Sequence, residues 1–144
     1  MDEQVQATNE APTWFWIGAG LALLWEALGC FMYWTQVTTD PATLPLDQRA
    51  MWDAAPGWMI AAYAVAVWVG LLGAVLLLMR RRFAEPLLLL SLVAVVVQFS
   101  ALLLVPELRD RTPSDALMMP IIIFVASYAI YMLSRRARKH GWLR

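Results

Sequence analysis

Eleven basic and eleven acidic residues are spread along the 144-residue chain, and only one of them, Glu26, falls inside any of four long apolar stretches. Those stretches cover residues 14–37, 57–79, 86–105 and 116–134. A helix needs about 20 mostly apolar residues to cross the hydrocarbon of a bilayer. Each stretch is near that length and is bounded by charge or proline. Only helices and closed barrels satisfy their backbone polar groups in lipid. A barrel strand would alternate apolar and polar residues, and Leu87-Leu88-Leu89-Leu90 and Val95-Val96-Val97 do not. The expected fold is an all-α polytopic membrane protein, a bundle of four transmembrane helices in a single membrane domain spanning residues 1–144.

Composition agrees. Hydrophobic residues make up 61% of the chain and charged residues 15%, against about 45–50% and 25% in an average soluble domain. The net charge is zero, so nothing in the balance points to nucleic acid. The lone Cys30 excludes an internal disulfide, a multi-cysteine zinc site and a Cys-x-x-Cys redox motif. Asp2, Glu3 and Glu10 precede the first stretch without a Lys or Arg, and that stretch is too long for a signal-peptide core. It is expected to be a retained span.

Lys and Arg set the expected orientation. Arg80, Arg81, Arg82, Arg135, Arg136, Arg138, Lys139 and Arg144 fall on one side, and Arg49, Arg109 and Arg111 on the other. Both termini are therefore expected in the cytoplasm, with the 37–57 and 106–115 loops outside. Trp14, Trp16, Trp34, Trp58 and Trp142 lie near span ends, as an interfacial aromatic belt would. Trp25 and Trp68 are deeper, suited to packing or to a cavity wall.

The short 80–85 connection makes spans two and three antiparallel neighbours. In the second outer loop, Thr112 is the expected N-cap of span four, with Pro113 at its first position. Pro120 is expected to kink that span. Residues 45–53 are expected to form a short helix on the membrane surface.

Small residues let helices approach in lipid. Gly18, Ala22, Glu26 and Gly29 form one stripe, Ala62, Ala66, Gly70 and Gly73 a second, and Ser91, Ala94, Gln98 and Ala101 a third. Within the first stripe Glu26 stands apart. A charged side chain at mid-bilayer costs about 3 kcal/mol on insertion scales, so it is expected to be neutral, hydrogen-bonded or both. Glu26 lies twelve residues from Trp14, and Gln98 lies twelve from Pro86. Both depths are about 18 Å at 1.5 Å per residue, which predicts a Glu26–Gln98 contact. Tyr33, Tyr63 and Gln36 are candidates to line the same proton- or substrate-binding cavity. Cys30 reads as a small packing residue and His140 as a solvated one.

Several segments carry a resemblance: Trp25, Gln36 and Val37; Pro56 to Trp58; Arg80-Arg81-Arg82 followed by Pro86; Met118-Met119-Pro120; and Gly141-Trp142-Leu143. In these the chain resembles a group of small four-span bacterial inner-membrane proteins of unestablished function, often labelled "sugar transporter". The resemblance implies an inner-membrane location and a small, sugar-like solute. Separately, Glu26-Ala27-Leu28-Gly29 is similar to the Glu-x-x-Gly of small multidrug-resistance transporters, which also place one glutamate among four helices. Those form antiparallel dimers that need a weak charge bias; the eight-to-three bias here favours one orientation.

No Ser/His/Asp set, metal-ligand cluster or phosphate-binding glycine loop is present, so neither an enzyme nor a cofactor is expected. The two functional expectations are a small-solute transporter built on Glu26, working as a homodimer, and a non-transporting subunit of a larger membrane complex.

Overall fold

The structure is a computed structural model and describes residues 10–144; Asp2 and Glu3, which weigh against a signal peptide, lie outside it. The described residues form six α-helices: α1 (Thr13–Thr38), α2 (Leu46–Ala54), α3 (Gly57–Leu78), α4 (Ala84–Leu104), α5 (Pro106–Arg111) and α6 (Met118–Lys139). Two 3-10 turns, Pro41–Thr43 and Ser114–Leu117, precede α2 and α6. Helices α1, α3, α4 and α6 are each long and apolar enough to cross a membrane. The chain is an all-α, multi-pass integral membrane protein.

The spans pack as an antiparallel bundle. Helices α3 and α4 make the most extensive contact, α1 packs on α3, α6 packs on α4, and α1 meets α6 over a shorter stretch. The small-residue stripes face inward: Ala22, Ala66, Gly70, Gly73, Ala94 and Ala101 are all buried. At Gly73 an added Cβ would come within 2.9 Å of Leu88 Cγ and 3.3 Å of its backbone nitrogen, so α3 and α4 are closer there than any other residue allows.

One end of the bundle carries the eight clustered cations and a compact core. Phe15, Ala19, Leu77, Ala84, Ala137 and Trp142 form it, drawn from all four spans and the tail. Two helices end there in the same way. In α3, Arg80 N–H donates to Leu77 O and Arg81 N–H to Leu76 O; in α6, Gly141 N–H donates to Arg138 O and Trp142 N–H to Ala137 O. Both are Schellman turns, which place one residue in the left-handed region. Gly141 takes that position in α6 (φ 74°) and Arg80 in α3 (φ 57°). For a non-glycine residue this costs about 1–2 kcal/mol. The two turns then grip each other. Arg80 Nε donates to Trp142 O at 2.6 Å, and Arg82 N–H donates to Arg144 O at 2.9 Å.

Three expectations need correction. Trp142 is not an interfacial anchor: it is 8% exposed, edge-on to Trp14 and Phe15 and stacked under His140 at 4.9 Å. The turn at Gly141 reverses the chain and folds the indole under the bundle. Thr112 does not cap span four; its hydroxyl donates to Leu108 O at 2.7 Å and closes α5. Pro120 does not interrupt a longer helix, because the α-helical conformation begins at Met118 and proline is harmless in a first turn. Helix α2 covers the predicted outer segment and packs beside α5.

Candidate functional site

Above the compact end the bundle opens into a cavity of about 320 Å³, walled by all four spans. The stripes that bring the helices together also bring their few polar residues to one level. Glu26 is thirteen residues along α1 from Thr13, and Gln98 fourteen along α4 from Ala84. At 1.5 Å per residue both lie about 20 Å from the cationic end. Ser127, twelve residues before Lys139 in α6, is at about 18 Å by the same measure.

Glu26, Gln98 and Ser127 are 6%, 8% and 8% exposed, and all three line the cavity. None of the three side chains makes a hydrogen bond to another described protein group. No fully sealed side-chain polar atom among the described residues lacks a partner. The unpartnered atoms are therefore those that open onto the cavity. Buried polar groups are normally paired; here three without a partner among the described residues converge from three helices on one cavity.

Ser91 completes the floor. Its hydroxyl donates to Ala66 O at 2.6 Å, leaving its lone pairs free to accept. Gly70 makes room: a Cβ there would collide with the Glu26 carboxyl and come within 2.8 Å of Ser91 Oγ. Only glycine lets the acid lie against α3 at this point.

Of the residues expected at the site, Glu26, Gln98, Tyr63 and Gln36 line the cavity. Glu26 and Gln98 share it without hydrogen-bonding each other. Tyr33 does not line it; its ring is edge-on to Tyr63 at 5.3 Å and to Trp68 at 6.5 Å, behind the wall. Trp25 forms part of the wall, whereas Trp68 is 48% exposed on the bundle's outer face. Cys30 packs against α3, its thiol donating to Val67 O at 3.3 Å. Sequence reasoning missed Ser127. The available signal was a hydroxyl near the level of Glu26, in a span with few polar residues.

A second hollow of about 390 Å³ lies at the far end, under the outer loop. Thr35, Thr39, Gln48, Trp52 and Leu108 line it, and Gln36 borders both hollows. Helix α2 thus roofs a vestibule over the ends of α1 and α3.

Among the described residues no three His, Cys, Asp or Glu side chains come together in a way that could hold a metal ion. Comparison with protein-family models, curated proteins and solved structures finds no match.

Proposed function

We propose that this protein is a small-solute carrier that binds its solute between the four spans, against Glu26, Gln98 and Ser127. The observation that carries the reading is the cavity with three nine-tenths-buried polar side chains that no described protein group satisfies. Leaving such groups unpaired costs about 1–3 kcal/mol each, a penalty that a bound solute or water would remove. The asymmetry of the bundle supports the same reading. The cationic end is closed by Phe15, Leu77 and Trp142, while the cavity runs toward the vestibule at Gln36. The site is packed shut toward one side of the membrane and has a second hollow beyond Gln36 on the other, an asymmetry like that of one state of an alternating-access cycle. By the distribution of Lys and Arg the closed end faces the cytoplasm, and the resemblance to small bacterial inner-membrane proteins puts the protein in the inner (plasma) membrane. Glu26 carries the proton exchanged with the solute.

The test is solute-driven proton movement into proteoliposomes loaded with a pH-sensitive dye. A panel of monosaccharides, polyols and uncharged amphiphiles is imposed as gradients. A carrier shows proton flux with at least one member, and Glu26→Gln abolishes it while the variant still melts like the parent. Absence of solute-dependent flux across the panel would overturn the reading.

One feature favours an accessory role instead: α1 and α6 part beyond their contact at the cationic end, leaving a cleft that a partner's helix would fill. Affinity purification at native expression levels decides between the two, since a subunit brings a stoichiometric larger partner and a carrier purifies alone or as a homodimer.

A further inference from the structure

The mouth of the cavity opens toward hydrocarbon. Leu28, Met32 and Met119 line the cavity, yet they are 50%, 52% and 62% exposed, which places them on its rim. Leu28 is fifteen residues along α1, about 22 Å from its start, so the rim reaches mid-bilayer depth. Toward the cationic end α1 and α6 close on each other, with Gly18 against Leu133 and with Ala19 and Ala22 in one core with Ile130. Toward the other end they part. Ile123 of α6 packs on Ala66, Ala94 and Val95 of α3 and α4, with no α1 residue in that cluster. Aliphatic and thioether side chains border the gap between α1 and α6 at Leu28, Met32 and Met119, and the exposed Gln36 amide stands at its outer end.

We infer that the occupant is an uncharged, lipid-soluble amphiphile that enters sideways from the bilayer and sets a compact hydroxyl- or carbonyl-bearing head against Glu26, Gln98 and Ser127. This rests on the reading that the cavity binds a solute, and it narrows the chemistry of that solute. Glu26, Gln98 and Ser127 share one level, with Ser91 below them and Gln36 nearer the vestibule, and the remaining walls include Trp25, Phe99 and Val95. A polyhydroxylated solute would press some of its hydroxyls against those apolar walls, at about 1–3 kcal/mol for each one left unpaired. An apolar tail, by contrast, leaves lipid for a lipid-like wall at little cost. An anionic head would meet Glu26 and no cationic side chain, because none lines the cavity. Gln98 and Ser127 supply both donors and acceptors, which suits a neutral head. The volume, about 320 Å³, is at the small end of ligand pockets, so the head and the first part of a chain fit while the remainder lies in the mouth.

The test uses the full chain in phosphatidylcholine nanodiscs and a ten-carbon alcohol bearing a diazirine beside its hydroxyl. After photolysis, labelled residues are mapped by mass spectrometry. Labelling is expected on α1 around Glu26 and on α4 around Gln98. Excess decanol should lower it by about tenfold, the equivalent of 1.4 kcal/mol, and so should Gln98→Leu. Leu28→Trp, which narrows the mouth without touching the polar floor, should lower it as well while the variant melts like the parent. Labelling confined to lipid-facing residues such as Ile122 and Phe124 overturns the inference. Suppression by glucose but not by decanol also overturns it and leaves the carrier reading standing. Suppression by decyltrimethylammonium in preference to decanol overturns the uncharged head. If decanol, decyltrimethylammonium and glucose all leave the labelling unchanged, both the inference and the carrier reading fail.

Discussion

At the cationic end the four spans meet in a closed core, and two helix-terminating turns are hydrogen-bonded to each other across Arg80 and Trp142. In the opposite half the same helices separate α1 from α6 around a cavity that holds unpartnered Glu26, Gln98 and Ser127. The closed half hydrogen-bonds its helix ends to each other, and the open half leaves three buried polar side chains without a partner among the described residues. Within one bundle, close packing is gathered at one end and the cavity in the other half.

Four substitutions and one control probe that division, beginning with the one of largest expected effect. Trp142→Ala removes the indole that fills the closed end and should lower unfolding free energy by about 3–5 kcal/mol, read as detergent-induced unfolding in mixed micelles. If it does not, the end is not closed by packing. Gly70→Ala drives a Cβ into Glu26 and Ser91. It should cost about 1–3 kcal/mol from overpacking and abolish solute-dependent flux. Gly20→Ala is its control, since a Cβ there meets nothing within 4 Å. That variant should keep full flux and melt no lower than the parent; equal damage at both glycines would mean that the cavity floor is not special.

Arg80→Gly tests the grip between the turns. Glycine recovers about 1 kcal/mol of left-handed strain but forfeits a charged hydrogen bond worth about 1.5–3 kcal/mol, so a net loss near 1 kcal/mol is expected in the same unfolding assay. A gain in stability would show that the contact with Trp142 contributes little. The smallest effect belongs to Glu85→Gln, which breaks the 2.7 Å pair with Arg138. Arg138 is 58% exposed, and water screens such a pair to about 0–1 kcal/mol. Thermal melting should scarcely move.

Much of the layout was readable in advance. Charge exclusion placed the spans to within a few residues, and the 80–85 connection made α3 and α4 neighbours. The stripe through Ala22 and Glu26 marked the inward face of α1, because small residues pay off only against another helix. The candidate site was partly readable for the same reason: matched depths put Glu26 and Gln98 at one level. Tyr33 was misplaced because depth says nothing about rotation around a helix, and it turns behind Tyr63. Trp142 was misread because an aromatic near a span end ordinarily lies in the interface; only the turn at Gly141 carries it inward.

The sequence alone determined that the chain crosses the membrane four times, since hydrocarbon admits no other arrangement for four long apolar stretches with one charge among them. Tertiary structure decided that the bundle closes at one end and opens in the other half. That asymmetry depends on how far α1 and α6 diverge beyond Gly18 and Leu133. Divergence of two helices separated by nearly the whole chain is a property of long-range packing, and neither periodicity nor composition encodes it locally.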